Sequence, residues 1–109
     1  MDLQAYQRRS RETARYPHAG SNALYPTLGL CGEAGEVAEK VKKVLRDNDG
    51  RFDPGAVEQI ALELGDVLWY VAQLATELDL RLEDIAEANL TKLASRAARN
   101  VIGGSGDRR

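Results

Sequence analysis

Ile60-Ala61-Leu62-Glu63-Leu64-Gly65-Asp66-Val67-Leu68-Trp69-Tyr70-Val71-Ala72-Gln73-Leu74 is the stretch that decides how this chain folds. Its apolar residues do not alternate as a half-buried strand requires. Ile60, Leu64, Val67, Val71 and Leu74, with Leu78 beyond, recur at three and four residues and form one stripe of a helix. Glu63 lies at the edge of that stripe and Asp66 just past it. Further round, Leu62 and Trp69, seven apart, line up on a second apolar stripe that requires its own partner. Two acids are thereby placed between two apolar surfaces.

The preceding segment repeats the arrangement. At about 100° per residue, Leu30, Ala34, Val37, Val41, Val44 and Leu45 share one stripe, with Glu33 at its edge, Glu36 one step further out and Glu39 toward solvent. The breaks between segments have turn chemistry. Tyr16-Pro17-His18-Ala19-Gly20-Ser21-Asn22 stops a first helix, and Pro26 suits the first turn of the next. Asp53 is placed to cap a third helix with Pro54 at its first position. The stretch Asp47 to Gly55 looks superficially like a calcium loop, but aligning Gly50 with the invariant glycine puts Leu45 first and Ala56 at the bidentate acid, which excludes it. The pattern predicts helices over about 2–15, 25–46, 55–78 and 82–101 and a Gly-Ser tail over about 102–109. The expected architecture is all-α and four-helix-bundle-like, a single domain over 1–109.

Composition narrows the chemistry. The 109 residues carry 17 acids and 15 bases, mixed rather than blocked, for a net charge of −2. That balance argues against a nucleic-acid polymer as partner. One cysteine, Cys31, and one histidine, His18, exclude an internal disulfide and a thiolate or imidazole zinc site. A di-iron bundle fails for the same reason, since it needs Glu-x-x-His on two helices. No stretch approaches the length of a membrane span and the first residues contain no apolar signal region, so a cytoplasmic location is expected. A chain this short gains core by associating, so an oligomer is expected.

Carboxylates crowded between apolar surfaces lose water and repel one another, and a divalent cation is an economical compensation. Side chains three apart are neighbours on a helix, so Glu33 with Glu36 and Glu63 with Asp66 can each offer oxygens to one ion, and hard oxygen ligands suit Mg2+, with Mn2+ as a substitute. The competing reading is solvated helix edges with i,i+4 ion pairs such as Glu36 with Lys40. Asp84 and Glu87 show that the spacing also arises by chance.

The runs Leu30-Cys31-Gly32-Glu33-Ala34-Gly35-Glu36-Val37-Ala38-Glu39 and Glu63-Leu64-Gly65-Asp66-Val67-Leu68-Trp69-Tyr70 resemble the paired ExxE and ExxD motifs of MazG-like nucleotide pyrophosphohydrolases. Asn89-Leu90-Thr91-Lys92-Leu93-Ala94-Ser95-Arg96 is similar to the family's N-x-x-K segment, and the tail from Gly104 to Arg109 to the GSGD-x-R close of one branch. The resemblance implies an all-α fold assembling as a homodimer or dimer of dimers, Mg2+ bound by Glu33, Glu36, Glu63 and Asp66, and cleavage of nucleoside triphosphates between the α and β phosphates. Many relatives carry a further acid where this chain has Gly32, which leaves Glu36 and Glu33 both open as the general base.

Asn89, Lys92 and Arg96 flank the stripe of Leu82, Ala86, Leu90, Leu93 and Ala97 and are expected to contact phosphates, with Lys40 and Lys43 assisting. The alternative for the basic residues is pairing with Asp84 and Glu87. Trp69 is expected either to close an interface between subunits, the favoured reading, or to stack on a base. A non-enzymatic helical oligomer or regulatory binding protein is the competing function. It accounts for the stripes but not for acids repeated at both stripe edges.

Overall fold

The computed structural model describes residues 1–109 and is all helical. Helix α1 spans Leu3–Ser10 and runs into a 3₁₀ turn, Arg11–Thr13; α2 spans Leu24–Asp47, α3 Pro54–Glu77 and α4 Leu82–Ala98. The all-α expectation holds, and the ends have identifiable causes. Asp53 caps α3 by accepting from the Ala56 amide at 2.8 Å, with Pro54 as the first helical residue. The N-cap of α2, Ala23, offers no side-chain acceptor, and Asn22 just before it accepts from the Tyr25 amide at 3.1 Å.

Two boundaries differ from the sequence reading. The first helix stops at Ser10 rather than near residue 15, because Ser10 Oγ donates to the Gln7 carbonyl and Thr13 Oγ1 to the Ser10 carbonyl, bonds that compete with the helical ladder. The last helix stops at Ala98 rather than near 101. There Asn100 turns left-handed at φ 57° and the Val101 amide donates back to the Arg96 carbonyl, a glycine-type helix stop made with asparagine.

The long helices α2 and α3 pack as a hairpin, α1 lies on α3, and α4 packs on α1 rather than along α2 or α3. Gln7, buried on α1, fixes the α3–α4 corner: its amide nitrogen donates to Thr76 Oγ1 and the Leu80 carbonyl, and its oxygen accepts from the Leu82 amide at 2.8 Å. The stripes are only partly covered within one chain. Val44, Ala72, Ala75 and Leu82 are buried, whereas Leu45, Leu64, Leu90 and Leu93 remain 64%, 54%, 67% and 40% exposed. The radius of gyration of 16.7 Å accordingly exceeds the roughly 13 Å of a compact chain of this length.

Candidate active site

Packing α2 against α3 brings Glu33, Glu63 and Asp66 together, with one carboxylate oxygen from each lying within 4.8 Å of the others. Glu33 and Glu63 are half-buried and Asp66 is exposed. Glu36 is exposed and stands outside this tight group, close enough for its charge to act on Glu33. None of the four acids pairs with a lysine or arginine. The Glu36–Lys40 ion pair that would make this an ordinary solvated edge does not form. Burial first, then the Asp66 charge, the hydrogen bond and charge of Glu63, and the charge of Glu36 push the Glu33 carboxyl above its ordinary value. Three oxygen donors at this spacing, with no cationic side chain among them, are a donor set suited to a hard divalent ion.

Tyr70 lies close enough to Glu33 and Asp66 to feel their charges, and an aromatic run leads away from it. Trp69 and Tyr70 meet edge to face at 5.0 Å between centroids, and Tyr16 stacks on Tyr25 at 5.0 Å. A Cβ at Gly29 would overlap the Tyr70 ring, so glycine is what lets α2 approach α3 here. Burial, the nearby Tyr25, and the charges of Glu33 and Asp66 raise the Tyr70 hydroxyl; burial and the Asp66 charge raise that of Tyr6. Tyr6 also lines an open cleft of about 250 Å³ between α1 and α3, with Arg9, Ser10, Glu12 and Trp69 among its walls.

The polar end of Trp69 finds partners inside the chain. Its indole N–H donates to the Ser10 carbonyl at 3.2 Å and to Thr13 Oγ1 at 3.0 Å. At its Trp69 end the second apolar stripe is therefore served by α1 and the 3₁₀ turn, while Leu62 stays 62% exposed.

The basic candidates are not gathered at the acids. Lys40 and Lys43 line a groove of about 310 Å³ where α2 meets the start of α3, with Asn48, Asp53 and Gln59 opposite. Asn89 is exposed on α4, Lys92 is half-buried and Arg96 is buried. The pairing of Lys92 and Arg96 with Asp84 and Glu87 does not occur. Both instead reach Asp107 in the tail, at 2.8 and 3.3 Å, and Asp84 pairs with Arg81. The sequence reading missed Tyr6 and left Tyr70 unassigned. Tyr70, four residues after Asp66, was discoverable from helical spacing, whereas Tyr6 reaches the site only through the docking of α1.

No solved structure matches the chain. The Gene 37 protein of Mycobacterium phage L5 is 50% identical over 114 aligned positions that take in all of both chains. The profile of the MazG nucleotide pyrophosphohydrolase domain matches residues 23–100, which include α2, α3, α4 and all four motif acids. By that match, the chain belongs to the MazG nucleotide pyrophosphohydrolase family.

Proposed function

We propose that this protein hydrolyses nucleoside triphosphates, ribo or deoxyribo, to the monophosphate and pyrophosphate, with Mg2+ held by Glu33, Glu63 and Asp66 and flanked by Glu36. The observation that carries the reading is the convergence of three carboxylates from two helices with no cationic side chain to neutralise them. A bound divalent cation would supply charge neutralisation on the phosphate oxygens and acidify a water.

The chain's own residues divide the remaining work. Glu36 lies outside the tight carboxylate group and is exposed, so of the two open candidates it is the one free to take the proton of the attacking water. The water oxygen bonds to the α-phosphorus as the bridging α–β P–O bond breaks, and pyrophosphate leaves. The Tyr6 and Trp69 cleft beside Asp66 offers two aromatic rings and the polar groups of Arg9 and Glu12 to a base.

A second copy of the chain completes this reading. Leu62, Leu64, Leu90 and Leu93 are exposed apolar surface that an isolated chain this small leaves without cover. In addition, α4 does not lie along the acid-bearing helices, so Asn89, Lys92 and Arg96 act on phosphate in an assembled homodimer or dimer of dimers.

Purified protein is offered a panel of triphosphates, with Mg2+ and then with chelator, and pyrophosphate release is distinguished from orthophosphate. Mg2+-dependent pyrophosphate with matching monophosphate is expected. Glu63→Gln should lower kcat/KM at least about a hundredfold, since losing even an outer-shell partner of a metal ligand costs 10- to 100-fold. Orthophosphate would mean that the wrong bond has been assigned. No turnover by folded protein, with no Mg2+ binding by calorimetry, would return the chain to a helical interaction protein.

A further inference from the structure

The tail from Val101 to Arg109 has a linker's composition, yet it is folded back on α4 by its own side chains. Positive φ at Gly104 and Gly106, 98° and 90°, reverses the chain twice. The Arg109 guanidinium then ties the loop by donating to the Ile102, Gly103 and Gly106 carbonyls at 2.9, 3.1 and 2.6 Å. This brings Asp107 over Lys92 and Arg96, one helical turn apart on α4.

Both cations converge on a single carboxylate oxygen. Lys92 Nζ lies 2.8 Å from Asp107 Oδ1 and Arg96 Nη2 3.3 Å from the same atom, and Arg96 Nη2 also donates to the Asp107 carbonyl. The Arg96 side chain is only 7% exposed, so its guanidinium is already largely desolvated and aimed. Its acceptor is not similarly held, because the Asp107 side chain is 79% exposed. An ammonium and a guanidinium meeting at one anionic oxygen suit a phosphate as well as a carboxylate.

We propose that the Lys92–Arg96 pair is an anion subsite for a nucleotide phosphate and that the tail occupies it with Asp107, as a built-in competitor that substrate must displace. This rests on the reading above that α4 contacts phosphate. The pair is open to solvent on its Asp107 side, which makes it a weak latch, and a triphosphate brings more charge and more acceptor oxygens than one carboxylate. A latch of that strength lowers apparent affinity by the fraction of time the subsite is closed, about two- to sixfold.

The test uses the full chain and inorganic pyrophosphate as probe, without divalent metal, by calorimetry, and then steady-state kinetics on the best triphosphate. Asp107→Asn should tighten pyrophosphate binding about two- to sixfold and lower KM with kcat unchanged. Arg109→Ala, which unties the loop without touching the pair, should move the same way by less. Lys92→Gln should weaken pyrophosphate binding and remove the gain in the Asp107→Asn background. If Asp107→Asn leaves affinity unchanged or weakens it while Lys92→Gln still weakens it, the tail supports the subsite or is idle there; the competitor proposal is then wrong and phosphate contact by α4 stands. If Lys92→Gln has no effect on pyrophosphate, phosphate contact by α4 fails, and the proposal with it.

Discussion

Helix α3 presents carboxylates at two places about 20 Å apart along its axis, and the chain treats them in opposite ways. At the C-terminal end, Glu77 is 1% exposed and fully partnered. It accepts from the Gly20 amide at 2.7 and 3.0 Å, from the Tyr16 hydroxyl at 3.0 Å and from the Asn22 amide at 3.4 Å, and the Arg11 guanidinium lies 3.6 Å away. Arg11 is itself anchored by Tyr16 and by Gln73, whose amide donates to Ser10. Burial alone would raise the Glu77 carboxyl, but these donors outweigh it and hold it below its ordinary value. At Glu33, Glu63 and Asp66 there is similar crowding without any cation, and the Glu33 carboxyl is pushed up instead. The same helix thus carries one carboxylate satisfied by the fold and two that join Glu33 of α2 in a group left unsatisfied. Only the second has capacity for a ligand.

The comparison breaks most visibly at Glu77. Glu77→Gln should destabilise the protein by about 3 kcal/mol, because it takes the buried negative charge away from the donors that converge on it and leaves the half-buried Arg11 without its ionic partner. Denaturant titration at fixed protein concentration reads this, and a loss under about 1 kcal/mol would show that the network is no stronger than a surface pair. Adding Mg2+ should act only at the other end. A hundredfold excess over its Kd stabilises the wild type by about 2.7 kcal/mol, raises Tm equally in Glu77→Gln, and leaves the Tm of Glu63→Gln nearly unmoved. Equal stabilisation of all three would place the ion elsewhere.

A smaller effect has the reverse sign. In chelator, Glu33→Gln should stabilise by up to about 1 kcal/mol, solvent screening included, because it removes one of several repelling charges. With Mg2+ present it should destabilise. A loss in both conditions would mean that Glu33 is held by the fold as Glu77 is. The smallest effect is the pH profile of the metal-free protein. Glu33, raised above 4.5 in the folded state, lowers stability as pH rises through the window between 4.5 and its folded value. Glu77, lowered from 4.5, contributes stability that is present above 4.5 and lost as pH falls through its folded value. Each slope stays below about 1.4 kcal/mol per pH unit. Glu33→Gln should erase the gain on mild acidification and Glu77→Gln the loss at lower pH.

The two carboxylate groups also differ in how far they can be read from residues alone. Glu33, Glu63 and Asp66 are legible because three-residue spacing at the edge of an apolar stripe is a helical property, and a helix fixes its own side-chain directions. Glu77 ends a helix with no such pattern, and its donors come from residues 11 to 22, brought to it by the docking of α1 and the loop that follows. The same distinction separates Trp69, whose stripe is visible but whose partners Ser10 and Thr13 are not, from the tail, whose composition predicts a linker although Arg109 and Asp107 fold it back.

Local periodicity and turn chemistry by themselves determined the four helices, the Asp53 cap and the motif acids that place the chain in its family. These depend on interactions a few residues apart, whose geometry the backbone dictates. Only the tertiary structure decided that Glu36 stands apart from the other three acids, that α4 lies on α1 instead of along α2 and α3, and that Asp107 meets Lys92 and Arg96. Those outcomes depend on how helices dock and on which charges meet across the chain, and the interactions involved join residues far apart in sequence or across turns whose direction no periodicity records.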